Sequence, residues 1–286
     1  MDISVIVPFY KGNQYMEQLF GVMRRNAKNA PELKIELVLV NDSPQIPIEY
    51  EESWVEGFQL QIHVNEVNSG IQRSRLNGLG YAKGTFVIFL DQDDLLTDEA
   101  LASQFALSEG HDVIVANGIN ENRDRNRPIY HSIAHQKQVA YPRFYYSVGC
   151  LIVSPGHCMI RKDKIPQAWY DSCVQCNGAD DYYLWLLMQG DCRWGINPAV
   201  LYTHVDTGEN LSSNLQQMID SSCEVLDLLR KDGKITPRND RIARRRFRMR
   251  QFFEGRAPWR KAVACLLYPM LFCELLAYTW LKKVCR

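Results

Sequence analysis

Short apolar runs alternate with helix-period segments over the first part of the chain, and this alternation limits the fold more than any other feature. Apolar residues recur at helical spacing from Tyr15 to Met23 and again from Ile71 to Ala82. Four runs have the length of strands, at residues 3–7, 35–40, 60–64 and 86–90. This order is typical of βα units in a largely parallel sheet. The Leu-Val-Leu-Val of residues 37–40 predicts a central strand buried on both faces.

Composition and charge place the chain among ordinary globular proteins. Of its 286 residues, 46% are hydrophobic and 23% are charged, which is enough apolar surface for a core. The formal net charge is +0, so no overall field attracts nucleic acid or anionic lipid. We expect partners to be recognised locally, and no nucleic acid among them.

The nine cysteines are scattered and show no disulfide framework. Cys173 and Cys176 have CxxC spacing, but no second pair completes a tetrahedral zinc site. The apolar run after Met1 is too short, and too uncharged at its front, for a signal peptide. We therefore expect reduced thiols and a cytoplasmic protein.

Three polar segments stand at the ends of predicted strands. They are Pro8-Phe9-Tyr10, Asn41-Asp42-Ser43 and Asp91-Gln92-Asp93-Asp94. Ligands of open α/β sheets bind outside the carboxyl ends of the strands, so we expect the three segments to face one crevice. The last segment crowds three carboxylates. Because Mg²⁺ and Mn²⁺ combine carboxylate oxygens with phosphate oxygens and water, the crowding favours a metal that carries a nucleotide diphosphate.

Other interpretations of the acidic segment are open to direct comparison. An EF-hand loop would need further oxygen ligands and a glycine where this chain has Leu95 and Leu96. A solvated acidic turn that caps the next helix is a structural alternative that this segment alone does not exclude. A dinucleotide-binding fingerprint is excluded by the spacing and place of the glycines at 78, 80 and 84.

Four segments together resemble the inverting family 2 glycosyltransferases in order and spacing. They are Ser4 to Tyr10, Glu36 to Ser43, Asn68 to Arg75 and Ala82 to Asp94. The resemblance covers about the first hundred residues well and continues weakly to about Ser213. It implies a GT-A fold, which is a Rossmann-like α/β nucleotide-diphospho-sugar transferase in a three-layer sandwich, followed here by a C-terminal helical extension.

The resemblance also implies roles for residues that would bind a nucleotide sugar. Pro8 and Tyr10 match the first nucleotide loop of the family, and Asp42 matches the acid that contacts the base, usually uracil. Arg75 matches a basic residue of the helix before the metal strand. The family's usual Asn after that arginine is here Leu76, so a polar contact from this helix is not assured.

The same resemblance assigns the metal. Asp91 and Asp93 match the DxD pair of the family, the first towards ribose and the second towards Mn²⁺ or Mg²⁺, and Asp94 is a further acid. Leu201 to His204, with Asn210-Leu211-Ser212 downstream, resembles a closing loop in which His204 meets the metal or the diphosphate. Histidine is a competent metal ligand, although a single histidine is as often structural.

The segment from Gly178 to Trp185 resembles the Glu-Asp element of the family, with Asp180 in place of the usual Glu. Asp181 is then the catalytic base and Asp180 its catalytic neighbour. The structural alternative is an acidic pair at the start of a helix, which the helix dipole stabilises. Periodicity predicts that helix over Asp180 to Met188 and another over Leu215 to Leu229.

The composition shifts after Arg238, where arginines precede an apolar run from Ala262 to Leu281. The run is about long enough to span a bilayer, but Pro269 and Glu274 interrupt it. We favour peripheral membrane contact by an interfacial element with basic flanks. The alternatives are a helix packed on the domain and, more weakly, an RNA-binding surface.

These patterns predict a GT-A glycosyltransferase domain at residues 1–230, with a nucleotide-sugar-binding half at 1–117 and an acceptor half at 118–230. Residues 231–286 form the extension. The resemblance implies an inverting transfer from a nucleotide diphosphate sugar, with a lean to UDP, to a glycan or lipid-linked glycan acceptor in cell-surface polysaccharide assembly at the inner face of the membrane. A non-catalytic nucleotide-sugar-binding or scaffold protein is the alternative.

Overall fold

The computed structural model describes residues 1–121, 126–208, 214–253, 263 and 265–282. The chain divides into two compact units. The first contains residues 1–129, 153–173 and 191–213, and the second contains residues 130–152, 174–190 and 214–286. Each unit is therefore assembled from separate segments of the chain, unlike the contiguous domains expected from the sequence. The donor half and the acceptor half stay predictions.

The first unit, in its described residues, contains a nine-stranded mixed sheet. Its strands are β1 (Ile3–Phe9), β2 (Ile35–Asn41), β3 (Gln59–Val64), β4 (Phe86–Phe89), β5 (Leu95–Leu96), β6 (Val113–Asn120), β7 (Arg127–Pro128), β8 (Cys158–Arg161) and β9 (Trp194–His204). Their spatial order is β3-β2-β1-β4-β8-β6-β9-β5, with β7 paired to β6.

Parallel pairing governs one end of this sheet. Strand β1 runs parallel to β2 and β4, and β2 runs parallel to β3. Ile6 is paired with Val38 on one side and with Phe89 on the other. The carboxyl ends of these strands therefore meet at one edge. Beyond β4, strand β8 is antiparallel to both β4 and β6, and β9 is parallel to β6.

The burial of the strands follows the sequence pattern. Every residue of β2 is buried, which confirms a central strand covered on both faces. Apolar and polar residues alternate over residues 60–64, which predicts an outer strand. Strand β3 is indeed half-buried and lies at the end of the sheet. The described helices of this unit are α1 (Met16–Asn29), α2 (Ile71–Tyr81), α3 (Ala100–Phe105) and α6 (Gln167–Asp171). The α/β order of the first hundred residues is thus confirmed.

The later part of the sheet departs from the sequence expectation. The short apolar run from Val113 to Ala116 predicts a further strand. Strand β6 extends past this run as far as Asn120, with irregular pairing to β9 after Ala116. Strands β5, β7, β8 and β9 have no clear period in the sequence. The first three are only two to four residues long, and β9 contains Pro198. Their pairing comes from neighbouring strands, so sequence periodicity could not find them.

The described residues of the second unit are largely helical. The helices are α4 (Ile133–Gln136), α5 (Pro142–Ser147), α7 (Asp180–Met188), α8 (Leu215–Lys231), α9 (Pro237–Phe253) and α10 (Pro269–Leu281). Helix α7 has the predicted ends, and α8 extends two residues beyond its prediction. Helix α8 packs on α7 and α9, α5 packs on α9 and α10, and α4 packs on α10.

The C-terminal apolar run is partly packed and partly exposed. Leu271 of α10 is buried against Met249 of α9, and this pair is covered by Ile242, Phe252 and Tyr268. Four apolar side chains are at least 60% exposed, namely Leu266, Leu267, Met270 and Trp280. In the part of the chain that is described, no helix has the length and apolar character needed to cross a bilayer.

Helix α10 is held by a buried polar contact as well. His135 Nε2 lies 2.8 Å from the hydroxyl of Tyr278, and its Nδ1 accepts the backbone N–H of His131 at 3.2 Å. Because Nδ1 accepts, the proton sits on Nε2 of a neutral ring. Burial, followed by the charges of Lys282 and His131, lowers the pKa of His135 to about 4.

Candidate functional site

The loops that follow β1 and β2 meet the segment after β4, as the sequence predicted. The backbone N–H of Asp42 donates to the carbonyl of Phe9 at 2.8 Å. The amide of Gln92 accepts from the N–H of Tyr10 at 2.9 Å and donates to its carbonyl at 3.1 Å. Pro8 lies at the end of β1, paired with Val40. The three polar segments therefore form one edge.

Gln92 is a positioning residue that sequence reasoning missed. Its side chain clamps the loop after β1 to the acidic segment. A Cβ atom on Gly12 would lie only 2.3 Å from Oε1 of Gln92, so a larger residue there would displace the Gln92 side chain. The ring of Tyr10 is 46% exposed and lies within reach of the Lys11 ammonium, 5.1 Å from the ring centre. The exposed ring of Tyr10 thus lies at the edge of the site.

Asp42 is buried and organises the loop before α2. Its carboxylate accepts from the Asn65 amide at 2.7 Å, from the Ser69 N–H at 2.7 Å and from the Gly70 N–H at 2.9 Å. Gly70 has φ of 84°, a conformation that favours glycine. The amide of Asn77 in turn donates to the side-chain oxygen of Asn65 at 2.7 Å. A polar contact from α2 therefore exists one residue after Leu76.

Arg75 is paired with Asp91. The guanidinium is 3% exposed, and its Nη2 lies 2.6 Å from Oδ1 of Asp91. The other oxygen of Asp91 accepts from the Ser154 hydroxyl at 3.3 Å. A buried arginine requires a compensating anion. The first acid of the DxD pair therefore has a partner within the protein.

Asp94 is fully enclosed and joins the acidic segment to the end of β9. Its Oδ2 accepts from the hydroxyl of Tyr202. Its Oδ1 lies 3.1 Å from Nδ1 of His204 and accepts from the N–H of Val205 at 3.0 Å. Burial raises the pKa of Asp94, whereas hydrogen bonds from His204 and Tyr202 act in the opposite direction. Both oxygens are thus engaged by groups of β9 and the residue after it.

His204 is held by that contact in one orientation. An ionised carboxylate only accepts hydrogen bonds, so Nδ1 of His204 is the donor towards Asp94. Burial lowers the pKa of His204, but the hydrogen bond and charge of Asp94, with Asp91 and Asp93, outweigh it and raise the pKa. The segment Asn210-Leu211-Ser212, expected to belong to the same closing loop, lies outside the described residues.

Asp93 differs from its two neighbours. Burial, then the charges of Asp94 and Asp91, raise its pKa to about 6. Within residues 1–121, 126–208 and 214–253, no lysine or arginine forms an ion pair with it. Of the three carboxylates after β4, Asp93 therefore has the least compensation of its negative charge by neighbouring groups.

The donor set suits a hard divalent ion that arrives with further ligands. Among the described residues, no three Asp, Glu, His or Cys side chains converge to hold an ion by themselves. Mg²⁺ and ions like it are commonly held by one or two carboxylates together with phosphate oxygens and water. Asp93 provides an under-compensated carboxylate, and Asp94 and His204 lie beside it. These residues fit an ion bound together with a diphosphate.

Asp180 and Asp181 belong to the second unit, where they begin α7. Asp180 is buried and Asp181 is half-buried, with Oδ1 accepting the N–H of Tyr182 at 2.7 Å. The turn before them is tied to α8, since the Ala179 N–H donates to the Ser221 hydroxyl at 3.0 Å. The acidic pair at a helix start is thus present. Its role as catalytic base stays a prediction.

Several positioning residues could not be found from the sequence. Gln92, Asn65, Ser154 and Tyr202 each fix a predicted site residue by hydrogen bonding. Tyr202 carried a weak signal, because it stands two residues before His204 on a strand, and alternate residues share a face. The other three lie far along the chain from the residues they hold, so spacing gives no indication of them.

The mixed sheet and the edge at the ends of its parallel strands have the arrangement of a GT-A fold. The structure superposes on Staphylococcus aureus TarS residues 1–349 in complex with UDP-GlcNAc, with a TM-score of 0.64 and 20% identity, covering 90% of this chain and 74% of that one. It also superposes on the mannosyltransferase PcManGT of Pyrobaculum calidifontis in complex with GDP-Man and Mn²⁺. That TM-score is 0.56, with 14% identity over 99% of this chain and 86% of the other. The GT-A fold is confirmed.

The sequence matches Glycosyl transferase family 2 over residues 4–168, more than half of the chain. The chain belongs to this family. It is 31% identical over 113 residues to poly(ribitol-phosphate) beta-N-acetylglucosaminyltransferase TarS of Staphylococcus aureus, which is 39% of this chain but only 19% of TarS. It is 23% identical over 192 residues to the Escherichia coli UDP-Glc:alpha-D-GlcNAc-diphosphoundecaprenol beta-1,3-glucosyltransferase WfgD, covering 66% of this chain and 70% of WfgD.

The hydroxyl of Tyr202 should stabilise the first unit, because it donates to the buried carboxylate of Asp94. We expect Tyr202→Phe to lower the free energy of unfolding by about 1–3 kcal/mol, the usual cost of leaving a buried acceptor unpaired. Tyr50→Phe is the matched control, since it removes a hydroxyl that donates to exposed Glu52 at 3.1 Å. Urea unfolding measures both variants. Equal, small losses would show that Tyr202 does not support Asp94.

Proposed function

We propose that this protein transfers a sugar from a nucleotide diphosphate donor, with a preference for UDP, to an acceptor hydroxyl with inversion at the anomeric carbon. The observation that carries the proposal is the under-compensated Asp93 carboxylate at the shared edge of parallel strands. Ligands of such sheets bind at this edge. Membership of family 2 supports transfer chemistry there.

In this proposal Asp93 and His204 would hold Mn²⁺ or Mg²⁺ against the donor diphosphate, and Asp94, the further acid of the expected metal set, would support them from behind because both its oxygens are engaged. The ion would supply Lewis-acid stabilisation of charge on the departing diphosphate. Asp94 orients the imidazole of His204 through Nδ1, which directs Nε2 away from the carboxylate. Such a contact both fixes a ligand and sets which nitrogen is available.

The remaining residues of the edge would bind the nucleotide. Tyr10 and Pro8 border the exposed entrance. Buried Asp42 shapes the loop from Asn65 to Gly70, and we assign Asp42 and this loop to binding of the nucleobase. Arg75 holds Asp91 in place, and Asp91 would contact the ribose. The nucleotide is thus recognised by groups that are already ordered, which reduces the entropic cost of binding.

We assign the role of catalytic base to Asp181, with Asp180 as its neighbour, because the two residues match the Glu-Asp element of the family. The carboxylate of Asp181 takes the proton of the acceptor hydroxyl as that oxygen attacks the sugar. A non-catalytic scaffold of the same fold would need neither acid. Turnover in variants of this pair therefore distinguishes the two functions.

We further propose that the acceptor is a glycan or lipid-linked glycan of cell-surface polysaccharide, and that the protein works at the inner face of the membrane. The relatives TarS and WfgD act on a poly(ribitol-phosphate) and on a diphosphoundecaprenol-linked sugar, as their names state. The apolar side chains of Leu266, Leu267, Met270 and Trp280 are each exposed, which suits peripheral contact with lipid.

Replacement of Asp93 tests the metal assignment. We expect Asp93→Asn to weaken Mn²⁺-dependent binding of UDP about tenfold or more, because the amide loses the charge that holds the ion. Calorimetric titration with UDP, with and without Mn²⁺, measures the change. Asp98→Asn is the control, since Asp98 is exposed and pairs with Arg25 at 2.7 Å. Unchanged affinity and metal dependence in Asp93→Asn would remove the assignment.

Replacement of Asp181 separates chemistry from binding. Asparagine keeps the size of the side chain but cannot take the proton, so turnover should fall about 10²–10⁴-fold while UDP affinity is retained. Initial rates with the donor and calorimetry with UDP measure the two effects. Asp180→Asn is the matched control. If Asp180→Asn abolishes turnover and Asp181→Asn does not, the base is the earlier acid, and if neither matters, the pair only begins a helix.

Removal of the C-terminal surface tests membrane contact. We expect deletion of residues 257–286 to shift the protein from the membrane fraction of a lysate to the soluble fraction, because the exposed apolar side chains are removed. Leu266→Gln with Leu267→Gln should have the same direction of effect, while Val64→Gln with Val67→Gln, equally exposed in the first unit, should have none. A full-length protein that is wholly soluble and monodisperse without detergent would contradict the proposal.

A further inference from the structure

A concave surface in the second unit is lined by five arginines together with Ile235, Pro237 and Asp240. The cavity has a volume of about 440 Å³ and is bordered by the end of α8 and the face of α9. Its charged lining consists of five arginines and one acid, namely Arg230, Arg241, Arg244, Arg245, Arg248 and Asp240. A concave site with such an excess of one charge attracts ions of the opposite charge.

Helix α9 uses its arginines in three different ways. Arg246 is buried, donates to the Tyr145 carbonyl at 2.8 Å, and lies 4.2 Å from the ring centre of Phe247. Arg244 pairs with Asp227 at 2.7 Å and with Asp240 at 2.8 Å. These two arginines hold the helix to its own unit. They do not require a ligand.

The remaining arginines of the cavity are differently placed. Arg241, Arg245 and Arg248 are exposed and follow one another at i, i+4 and i+7, which puts them on one face of α9. In residues 214–253 none of these three forms an ion pair with an acidic side chain. Like charges on one helix face repel one another. An anion bound to this face would relieve that repulsion.

The residue type indicates which anion. Every basic residue of α9 is arginine, and the planar guanidinium recognises phosphate with two parallel hydrogen bonds, whereas lysine acts as a point charge. The aromatic side chain beside the arginines, Phe247, is 5% exposed and covered by Arg246. Phe252 packs against Met249 and Leu271, so the described aromatic rings of α9 favour packing over stacking on RNA bases.

We propose that this cavity binds the phosphate or diphosphate group of a membrane-held ligand. Two sources have this chemistry, a lipid-linked diphosphate acceptor and the headgroup of an anionic phospholipid. The first source rests on the proposed function, while the binding of phosphate does not. Met249 of α9 packs against Leu271 of α10, so the arginine face lies on the helix that packs beside exposed Met270 and Trp280 of α10.

Binding of inorganic pyrophosphate tests the site directly. The full chain is titrated calorimetrically at low ionic strength. EDTA is present so that no divalent ion can hold pyrophosphate at the proposed metal site near Asp93. We expect Arg241→Gln with Arg245→Gln to weaken binding about tenfold or more, since each lost guanidinium removes charge-assisted hydrogen bonds. Arg238→Gln with Arg250→Gln is the control, because it removes equal charge from exposed positions of α9 that do not line the cavity. Equal losses in both pairs, or none, would overturn the site.

Vesicle flotation then distinguishes the sources. Neutral phosphatidylcholine vesicles are compared with vesicles that also contain phosphatidylglycerol or a polyprenyl diphosphate. Arginine-dependent binding only to polyprenyl diphosphate indicates the acceptor, and equal binding to both indicates the headgroup. The variant Arg241→Gln with Arg245→Gln should keep its Mn²⁺-dependent affinity for UDP. The experiment therefore tests the arginine cavity independently of the proposed nucleotide-sugar site.

Discussion

Three carboxylates lie close together after β4, and their negative charge must be compensated. The edge formed by the loops after β1, β2 and β4 depends on this constraint. Charges this close, and partly buried, are stable only when each has a partner. Asp91 has Arg75, and Asp94 has Tyr202, His204 and the N–H of Val205. Asp93 has no such cation among the described residues, and its raised pKa expresses that cost. The structure thus compensates two acids internally and gives the third no cation among the described residues, an arrangement that the proposed metal-bound diphosphate would complete.

The scaffold makes this arrangement possible through parallel pairing. Strands β1, β2 and β4 end at one edge, so loops distant in sequence become neighbours. Two glycines then allow close approach, Gly12 beneath the Gln92 amide and Gly70 beside the Asp42 carboxylate. Both carboxylate oxygens of Asp42 accept hydrogen bonds from the loop before α2, so this acid determines the shape of that loop. Preorganised groups of this kind bind without paying for reorganisation at the moment of binding.

The second unit shows how one composition can serve different purposes. The arginine-rich stretch looked uniform in the sequence, yet Arg246 is buried, Arg244 is paired, and Arg241 faces a cavity. The apolar run after it is likewise divided, with Leu271 packed and Leu266 exposed. Sequence alone left membrane contact and packing as alternatives. The structure shows that one segment contains side chains of both kinds, because an amphipathic helix buries only the face that meets a neighbour.

The sequence by itself determined the α/β order, the central place of β2, the edge where Asp42, Asp91 and Asp93 meet, and the exact bounds of α7. These follow from local periodicity and from the rule that parallel strands end together. Only the tertiary structure decided the pairing of β8 and β9 within the sheet, the partners of each carboxylate, and which arginines remain exposed. Tyr202 reaches Asp94 across 108 positions of the chain, and Gln92 reaches Tyr10 across 82. Such contacts arise when remote segments pack, and no local pattern of residues encodes which donor will face which acceptor.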